Sequence, residues 1–335
     1  MKIVIPGGTG QVGGQLRRAL SAQGHEVTVL SRRREQLEDG VRHAVWDGRT
    51  LGPWAAEIDG ADAVINLAGR SVSCRYTDAN LRAMMSSRVD STRVVGEAIA
   101  RAERPPSVWL QMSTATIYAD SRSRGDDRPH NEATGVIGGD EPDVPLSWEY
   151  SVRIARRWEA ALAEADLPAT RRVALRTAMV MTPDRGGVFD YLSWMARLGL
   201  GGPVAGGGQY VSWVHGDDLV RTVTFLLARE DLDGPVIVAA PEPLPQRVFM
   251  RSLRRAWGVP VGLPATRLMA ELGALVLRTD TELLLKSRRV VPGRLLDAGF
   301  AFEHPAWERA ALDLVGRRRR GDLGGVAAAS RPSIT

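Results

Sequence analysis

Six short apolar runs punctuate the first two-thirds of the chain: KIVI (2–5), EVTVL (26–30), VRHAVW (41–46), DAVINL (62–67), SVWLQM (107–112) and RRVALR (171–176). Runs of this length, bounded by turn residues, read as strands. Amphipathic segments near 12–23, 78–102 and 147–165 alternate with them. In the longest, Leu81, Met84, Met85, Val89, Val94, Val95 and Ile99 recur at helical spacing, which marks a helix face turned to a core. Strands alternating with helices predict an α/β fold, a Rossmann-type doubly wound parallel sheet covered on both faces.

Two stretches break the pattern. Residues 119–146 are rich in Gly, Asp and Pro, and a patternless segment that long in a compact domain is usually functional or disordered. Residues 183–218 mix glycines with aromatics. Beyond 239 the chain turns to PEPLPQ, two or three helices and FAFEHPAWERAALDL, which reads as a smaller, mostly helical C-terminal lobe over the sheet edge. The expected organisation is a sheet domain over 1–180 with a returning segment at about 211–239. A substrate lobe over 181–210 and 240–315 and a basic flexible tail over 316–335 follow. LMAELGALVL (268–277) contains Glu271 and is too short to span a bilayer, so a packed helix is expected there and no membrane contact.

Charge adds little. Of the formal net +5, +4 falls within the last nineteen residues, where Arg317, Arg318, Arg319, Arg320 and Arg331 stand against Asp322. The body is therefore near neutral, and nucleic acid is not an expected partner. A single cysteine, Cys74, excludes an internal disulfide framework and fits a reducing cytoplasm. With a strand beginning at residue 2, no signal peptide is expected ahead of the fold.

The first strand runs into IPGGTGQVGGQL, where Gly7-x-x-Gly10-x-x-Gly13 spans the turn into a helix. The first glycine permits the turn, the second lets a pyrophosphate approach the backbone, and the third lets helix and strand pack closely. Thr9, Gln11 and Val12 complete a helix N-terminus whose N–H groups and dipole favour phosphate. The second strand ends VLSRRRE, with Ser31, Arg32 and Arg33 where an NAD site usually places an acid for the ribose 2′-OH. Arginine pairs with a 2′-phosphate instead, so the expected cofactor is NADP(H). Asp47, after the third strand, stands where a side chain can meet the adenine amino group, and Leu67, Ala68 and Gly69 follow the fourth strand as a small-residue wall.

At these residues the chain resembles the extended short-chain dehydrogenase/reductase superfamily, and MSTATIYA (112–119) resembles that superfamily's fifth-strand motif. More narrowly it resembles the atypical "epimerase family" subgroup with a C-terminal domain of unknown function. The matching phrases are SRVDSTRVVGEAI (87–99), WEAAL (158–162), RLGLGGPVAGGGQYVSWVHGDDLVR (197–221), APEP (240–243) and RVVPGRLLDAGFAFEHP (289–305). One departure is Ile237, where the subgroup usually has Asn. By analogy the resemblance offers homodimerisation through the helix at 78–102.

The resemblance implies chemistry by a Ser/Thr, a Tyr and a Lys four residues after the Tyr. Aligned on Glu159, those Tyr and Lys positions fall on Ser151 and Ala155, and Tyr150 is one residue out of register, about 100° around a helix. The chain has two lysines, Lys2 and Lys286, so no Tyr-x-x-x-Lys pair exists. The catalytic candidates are Thr114 with flanking Ser113, then Tyr118, then Tyr150, with Arg153 and Arg157 as nearby positive charge. A phenol with pKa about 10 is already protonated at neutral pH, so ketone reduction survives the loss of the lysine better than alcohol oxidation.

In SWVHGDDLV, Asp217 or Asp218 suits an N-cap for the following helix, His215 is a minor acid/base candidate, and no metal site is expected. Trp148, Trp194, Trp213 and Tyr210 suit an aromatic cavity or a core equally. The expected function is an NADP(H)-dependent oxidoreductase, reductase direction favoured, on a small apolar or aromatic carbonyl or conjugated substrate. The alternatives are a non-redox isomerase, epimerase, cyclase or dehydratase on the same fold, and a non-catalytic NADPH-binding sensor.

Overall fold

The computed structural model describes residues 1–34, 41–72, 74–122, 128–141, 144–266, 269 and 282–321. In chain order its strands are β1 (Lys2–Pro6), β2 (Glu26–Ser31), β3 (Arg42–Val45), β4 (Ala63–Asn66), β5 (Val108–Thr114), β6 (Arg171–Thr177), β7 (Met179–Met181), β8 (Tyr210–Val211), β9 (Trp213–His215), β10 (Gly234–Val238) and β11 (Leu244–Pro245). The helices are α1 (Gln11–Ala22), α2 (Asp78–Ala100), α3 (Leu146–Ala163), α4 (Val188–Arg197), α5 (Gly216–Leu227), α6 (Gln246–Trp257), α7 (Glu282–Leu285), α8 (Gly293–Asp297) and α9 (Trp307–Arg320).

Seven strands pair in parallel in the order β10-β6-β5-β4-β1-β2-β3. All six expected strands are present. The seventh, β10, is the returning segment, registered on β6 with Gly234 opposite Val173. Alternation along each strand sorts side chains to two faces. Ile3, Ile5, Val27, Val29, Ile65 and Leu110 meet Leu16 and Leu20 of α1 and Leu219 and Val223 of α5. On the opposite face Val4, Leu30, Val64 and Trp109 meet Val94, Val95 and Ile99 of α2 and Leu162 of α3. Of the predicted stripe on α2, Val94, Val95 and Ile99 form that face, while Leu81, Met84 and Met85 pack in a separate cluster with Ile154.

The helices α4, α6 and α9 share a third cluster with Trp213. Phe249 and Trp307 stack there with centroids 3.9 Å apart, and Trp307 Nε1 donates to Phe249 O at 2.8 Å. The arginine run expected to start a frayed tail at 316 instead ends α9. Arg317 pairs with Asp217 at 2.6 Å and Asp313 at 2.8 Å, Arg318 donates to Pro183 O at 2.6 Å and pairs with Asp190, and Arg319 donates to Trp257 O at 3.1 Å. Cations at a helix C-terminus also complement its dipole. Residues 322–335, and the expected helix at 268–277 apart from Met269, lie outside the described residues. Among the described residues no helix is long and apolar enough to cross a membrane.

The segment after α7 threads beside the 119–146 stretch and ties it down. His130 N donates to Arg289 O at 2.8 Å, Val291 N to His130 O at 2.8 Å, and Ser121 N to Ser287 O at 3.0 Å. This is how side chains from beyond residue 280 reach the carboxyl end of β5.

Candidate active site

β1 lies between β4 and β2, so the crevice above its carboxyl end is a topological switch point, where open α/β sheets bind ligands. Gly7 stands there with φ +77°, and a Cβ on it would lie 2.8 Å from the Ala68 backbone. A Cβ on Gly13 would lie 2.5 Å from Gly8, so only glycine lets α1 sit against the turn. At Gly10 a Cβ would meet only Gly7 O at 3.7 Å, which leaves the approach to the helix N-terminus open. Gly10 is the N-cap of α1 and no side chain caps it. Gln11 reaches sideways, donating to Thr182 Oγ1 at 2.8 Å, and Val12 packs into the first core. The fit to a dinucleotide pyrophosphate is therefore one of backbone N–H groups and space.

At the end of β2, Ser31 is buried and its Oγ donates to Arg33 O at 2.6 Å, with His43 Nε2 at 2.8 Å. That hydroxyl is used within its own turn. Arg32 and Arg33 are exposed. Arg32 borders a cavity of about 450 Å³ that it shares with Trp46, Asp47, Thr50, Pro53 and Trp54, and Arg33 is not in that lining. The Asp47 carboxylate accepts from Thr50 Oγ1 at 2.6 Å, Thr50 N at 2.9 Å and Arg49 N at 2.8 Å, which hold it down at about 2. Its first task is to close that turn. A carboxylate has about four acceptor sites, so one is left for an adenine amino group. After β4, Leu67 N donates to Pro6 O at 2.8 Å and Ala68 N to Asn66 Oδ1 at 3.0 Å, and Gly69 packs on Arg88.

A second cavity, of about 290 Å³, opens at the carboxyl end of β5. Its polar wall includes Ser113, Thr114, Ser151, Arg88, Glu282 and Arg288, and Met84, Ile154 and Trp158 form part of its apolar wall. Thr114 is half-buried and its Oγ1 accepts from Thr116 N at 3.1 Å, which leaves its own hydroxyl proton for the cleft. Ser113 borders the same cleft, but its Oγ is committed to Glu159 at 2.6 Å.

Neither Tyr118 nor Tyr150 is in this lining, whose tyrosine is Tyr76. Tyr118 follows the turn at Ala115–Ile117, is buried, stacks on His130 at 5.3 Å, and its hydroxyl accepts from Arg176 Nη1 at 2.8 Å. A Cβ on Gly135 would fall 2.3 Å from its ring, so the 128–138 strip closes over it. Burial raises its pKa further, against the Arg176 charge. Tyr150 packs with Leu81, Met84 and Ile154 under the Arg153 guanidinium, 4.3 Å from its ring. Arg153 and Arg157 are exposed. One residue past Tyr150, the helix turns Ser151 to the cleft, as the 100° step requires.

Sequence reasoning missed what Ser151 meets. Its Oγ donates to Glu282 Oε2 at 2.6 Å. Glu282 Oε1 lies 3.5 Å from Arg288 Nη2 and 3.8 Å from Lys286 Nζ, and Lys286 donates to Thr116 O at 3.0 Å. Glu282, Lys286 and Arg288 are all buried. Burial pushes the Lys286 ammonium down to about 8 against the pull of Glu282. The one available signal was that the second of two lysines falls four residues after Glu282, across three leucines, in ELLLKS.

Other expectations change. His215, not Asp217 or Asp218, caps α5: its Nδ1 accepts from Asp217 N at 3.1 Å. Asp217 pairs with Arg317, and buried Asp218 accepts from Glu303 N at 2.8 Å and His304 N at 2.9 Å. His215 is buried outside the cleft lining, stacked on His304 at 3.8 Å. His215, His304 and Asp313 bring ligand atoms within 4.8 Å. With Nδ1 accepting, the neutral His215 ring carries its proton on Nε2, 3.3 Å from Asp313, where a metal would need a lone pair. Trp213 is core, Trp194 is exposed, and none of Trp148, Trp194, Trp213 and Tyr210 lines the cleft; Trp158 does. Ile237 sits with Ala115, Ile117, Tyr118 and Val290, so its departure from the subgroup pattern alters packing rather than the cleft wall.

Comparison with known proteins agrees with this fold. Residues 3–240 match the model of the NAD dependent epimerase/dehydratase family, and residues 267–314 match a domain of unknown function, DUF1731. The Bos taurus Epimerase family protein SDR39U1 is 30% identical over 94% of this chain and 100% of its own. The crystal structure of human epimerase family protein SDR39U1 (isoform 2) with NADPH superposes with TM-score 0.80 at 27% identity, covering 94% of this chain and 99% of that one. A nucleoside-diphosphate sugar epimerase from Corynebacterium glutamicum gives TM-score 0.72 at 25% identity, covering 94% of this chain and 58% of that one.

Proposed function

Since the chain belongs to the NAD dependent epimerase/dehydratase family, we propose that it is an NADP(H)-dependent oxidoreductase. In this reading it works in the reductase direction on a small carbonyl or conjugated substrate with an apolar body. The observation that carries the reading is one crest of the sheet. There the glycine turn after β1, the Arg32 cavity after β2 and the hydroxyl-lined cleft after β5 lie along the same carboxyl edge. NADP(H) over NAD(H) is supported by Arg32, whose exposed guanidinium suits a 2′-phosphate. The human relative crystallised with NADPH supports the same choice.

When bound, NADPH supplies a hydride. The chain's own residues orient the substrate and manage the proton. Thr114 donates its hydroxyl proton to the substrate oxygen. Ser151 Oγ gives that oxygen its proton as the carbon–hydrogen bond forms, turning its hydroxyl away from the Glu282 carboxylate 2.6 Å away. Lys286, 3.8 Å from Glu282 Oε1, is the proton source: its ammonium proton passes by way of the Glu282 carboxylate to Ser151, leaving Lys286 neutral, and Arg288 holds the carboxylate in place. Alcohol oxidation runs the same path backwards, into a carboxylate that two cations keep ready to accept.

The test is a thermal-shift titration followed by absorbance at 340 nm against carbonyls and quinones. A ligand at 100 times its Kd adds about 2.7 kcal/mol of stability, so NADPH should raise the melting temperature and NADH should do so only at much higher concentration. No stabilisation by NADPH overturns the reading. Turnover of substrate with constant absorbance moves the protein to the isomerase class.

A further inference from the structure

Arg88 of α2 is a charged side chain for which the proton path has no work. It lines the cleft beside Thr114 and Ser151. Its Nη1 donates to Met84 O at 3.1 Å, and its Cζ lies 5.0 Å over the Trp158 ring. It also braces the loop after β4, where a Cβ on Gly69 would lie 3.3 Å from its Cζ. Among the described residues the groups that act on its charge are Tyr76 and Cys74, with no carboxylate among them, and burial pushes the guanidinium down to about 10. A cation in a partly closed pocket without a counter-ion is costly, and an anion relieves that cost. The same lining holds Arg288, whose Nη2 makes no hydrogen bond. Its wall thus presents two guanidinium groups against one carboxylate, Glu282.

We propose that this cleft takes its substrate by an oxyanion, a carboxylate or a phosphate, gripped by Arg88 beside Trp158. The substrate's apolar body lies along Met84 and Ile154, and its reacting oxygen reaches Thr114 and Ser151. The guanidinium fork suits either oxyanion, and a ring on Trp158 suits an aromatic body. The inference rests on the reading of this cleft as the active site.

Benzoate, phenyl phosphate and the neutral isostere benzamide, titrated by thermal shift into the protein saturated with NADP⁺, test it. Saturable stabilisation by benzoate or phenyl phosphate but not benzamide is expected, and the preferred anion names the oxyanion. Arg88→Met should weaken that binding tenfold or more while NADP⁺ affinity stays within threefold, and Arg88→Lys should retain part of it. No anion binding, equal binding of benzamide, or unchanged binding in Arg88→Met overturns the proposal. A tenfold loss of NADP⁺ affinity in Arg88→Met also overturns it, because Arg88 then serves the cofactor. If Arg88→Met does not fold, the benzoate and benzamide comparison on the unmodified protein decides. If NADP⁺ itself fails to bind, the oxidoreductase reading falls, and the same titration of the free protein still decides whether Arg88 binds an anion.

Discussion

Ser151 has no useful acidity of its own; the buried carboxylate 2.6 Å from its Oγ links it to the Lys286 ammonium, which has a proton to supply. General acid–base catalysis contributes about 10²–10⁴ in rate. Ser151→Ala and Glu282→Gln are each expected to lower turnover by about 10²–10³ with NADPH affinity unchanged, read as kcat against Kd. Tyr118→Phe should leave kcat within threefold, because the phenol hydroxyl is already bonded to Arg176 away from the cleft. The Lys286 ammonium, held at about 8, is loaded below that pH and empty above it. Reductase kcat should therefore fall as pH rises through about 8, and Lys286→Met should abolish that limb of the profile. At the other end of the crest, Arg32→Gln should weaken NADPH about tenfold or more while sparing NADH, since a charged hydrogen bond contributes about 1.5–3 kcal/mol.

The element that most depends on single residues is α1 with its entering turn. Gly13→Ala forces a Cβ to 2.5 Å from Gly8 backbone. Overpacking of this kind costs about 1–3 kcal/mol, so a lowered melting temperature and weaker NADPH binding are both expected, measured in one thermal-shift series. This turn, the sheet strands β1 to β6 and the helices α1 to α3 were legible because their signals are local: apolar runs, helical spacing and three glycines. β10 was harder, since GPVIV is half-buried at an edge and gains its meaning only by pairing with β6. Tyr118 sat in a recognisable motif, yet the turn at Ala115–Ile117 sends its ring away from the cleft, a direction that sequence spacing does not carry. Glu282 and Lys286 were illegible as site residues because a contact over more than a hundred residues brings Glu282 to Ser151, with no repeat or spacing to announce it.

Across the whole molecule, the sheet with α2 and α3 supplies most of the cleft wall, and the chain beyond residue 280 supplies Glu282 and Arg288, with Lys286 beside Glu282. Outside that cleft, α9 locks the lobe to α5 through Arg317, Asp217 and the His215–His304 stack. Burial, and then the His304 ring, push His215 down to about 4 from an ordinary 6.5, with Asp217 and Asp313 opposing and Arg317 reinforcing. The unfolded chain therefore takes up this proton more readily than the folded one. The stability it contributes is complete above about 6.5 and is lost as pH falls toward 4. Melting temperature should drop across that window, and His215→Asn, which keeps an N-cap acceptor without the titration, should flatten the drop. The central claim, NADPH oxidation with a proton delivered through Ser151 and Glu282, is tested most directly by single-turnover absorbance at 340 nm. The NADPH-loaded protein and its Glu282→Gln variant are mixed with the carbonyl and quinone panel. Loss of one equivalent of NADPH by the unmodified protein, slowed at least a hundredfold in the variant, is the predicted result. Product formed at constant absorbance, or equal rates for the two proteins, would contradict it.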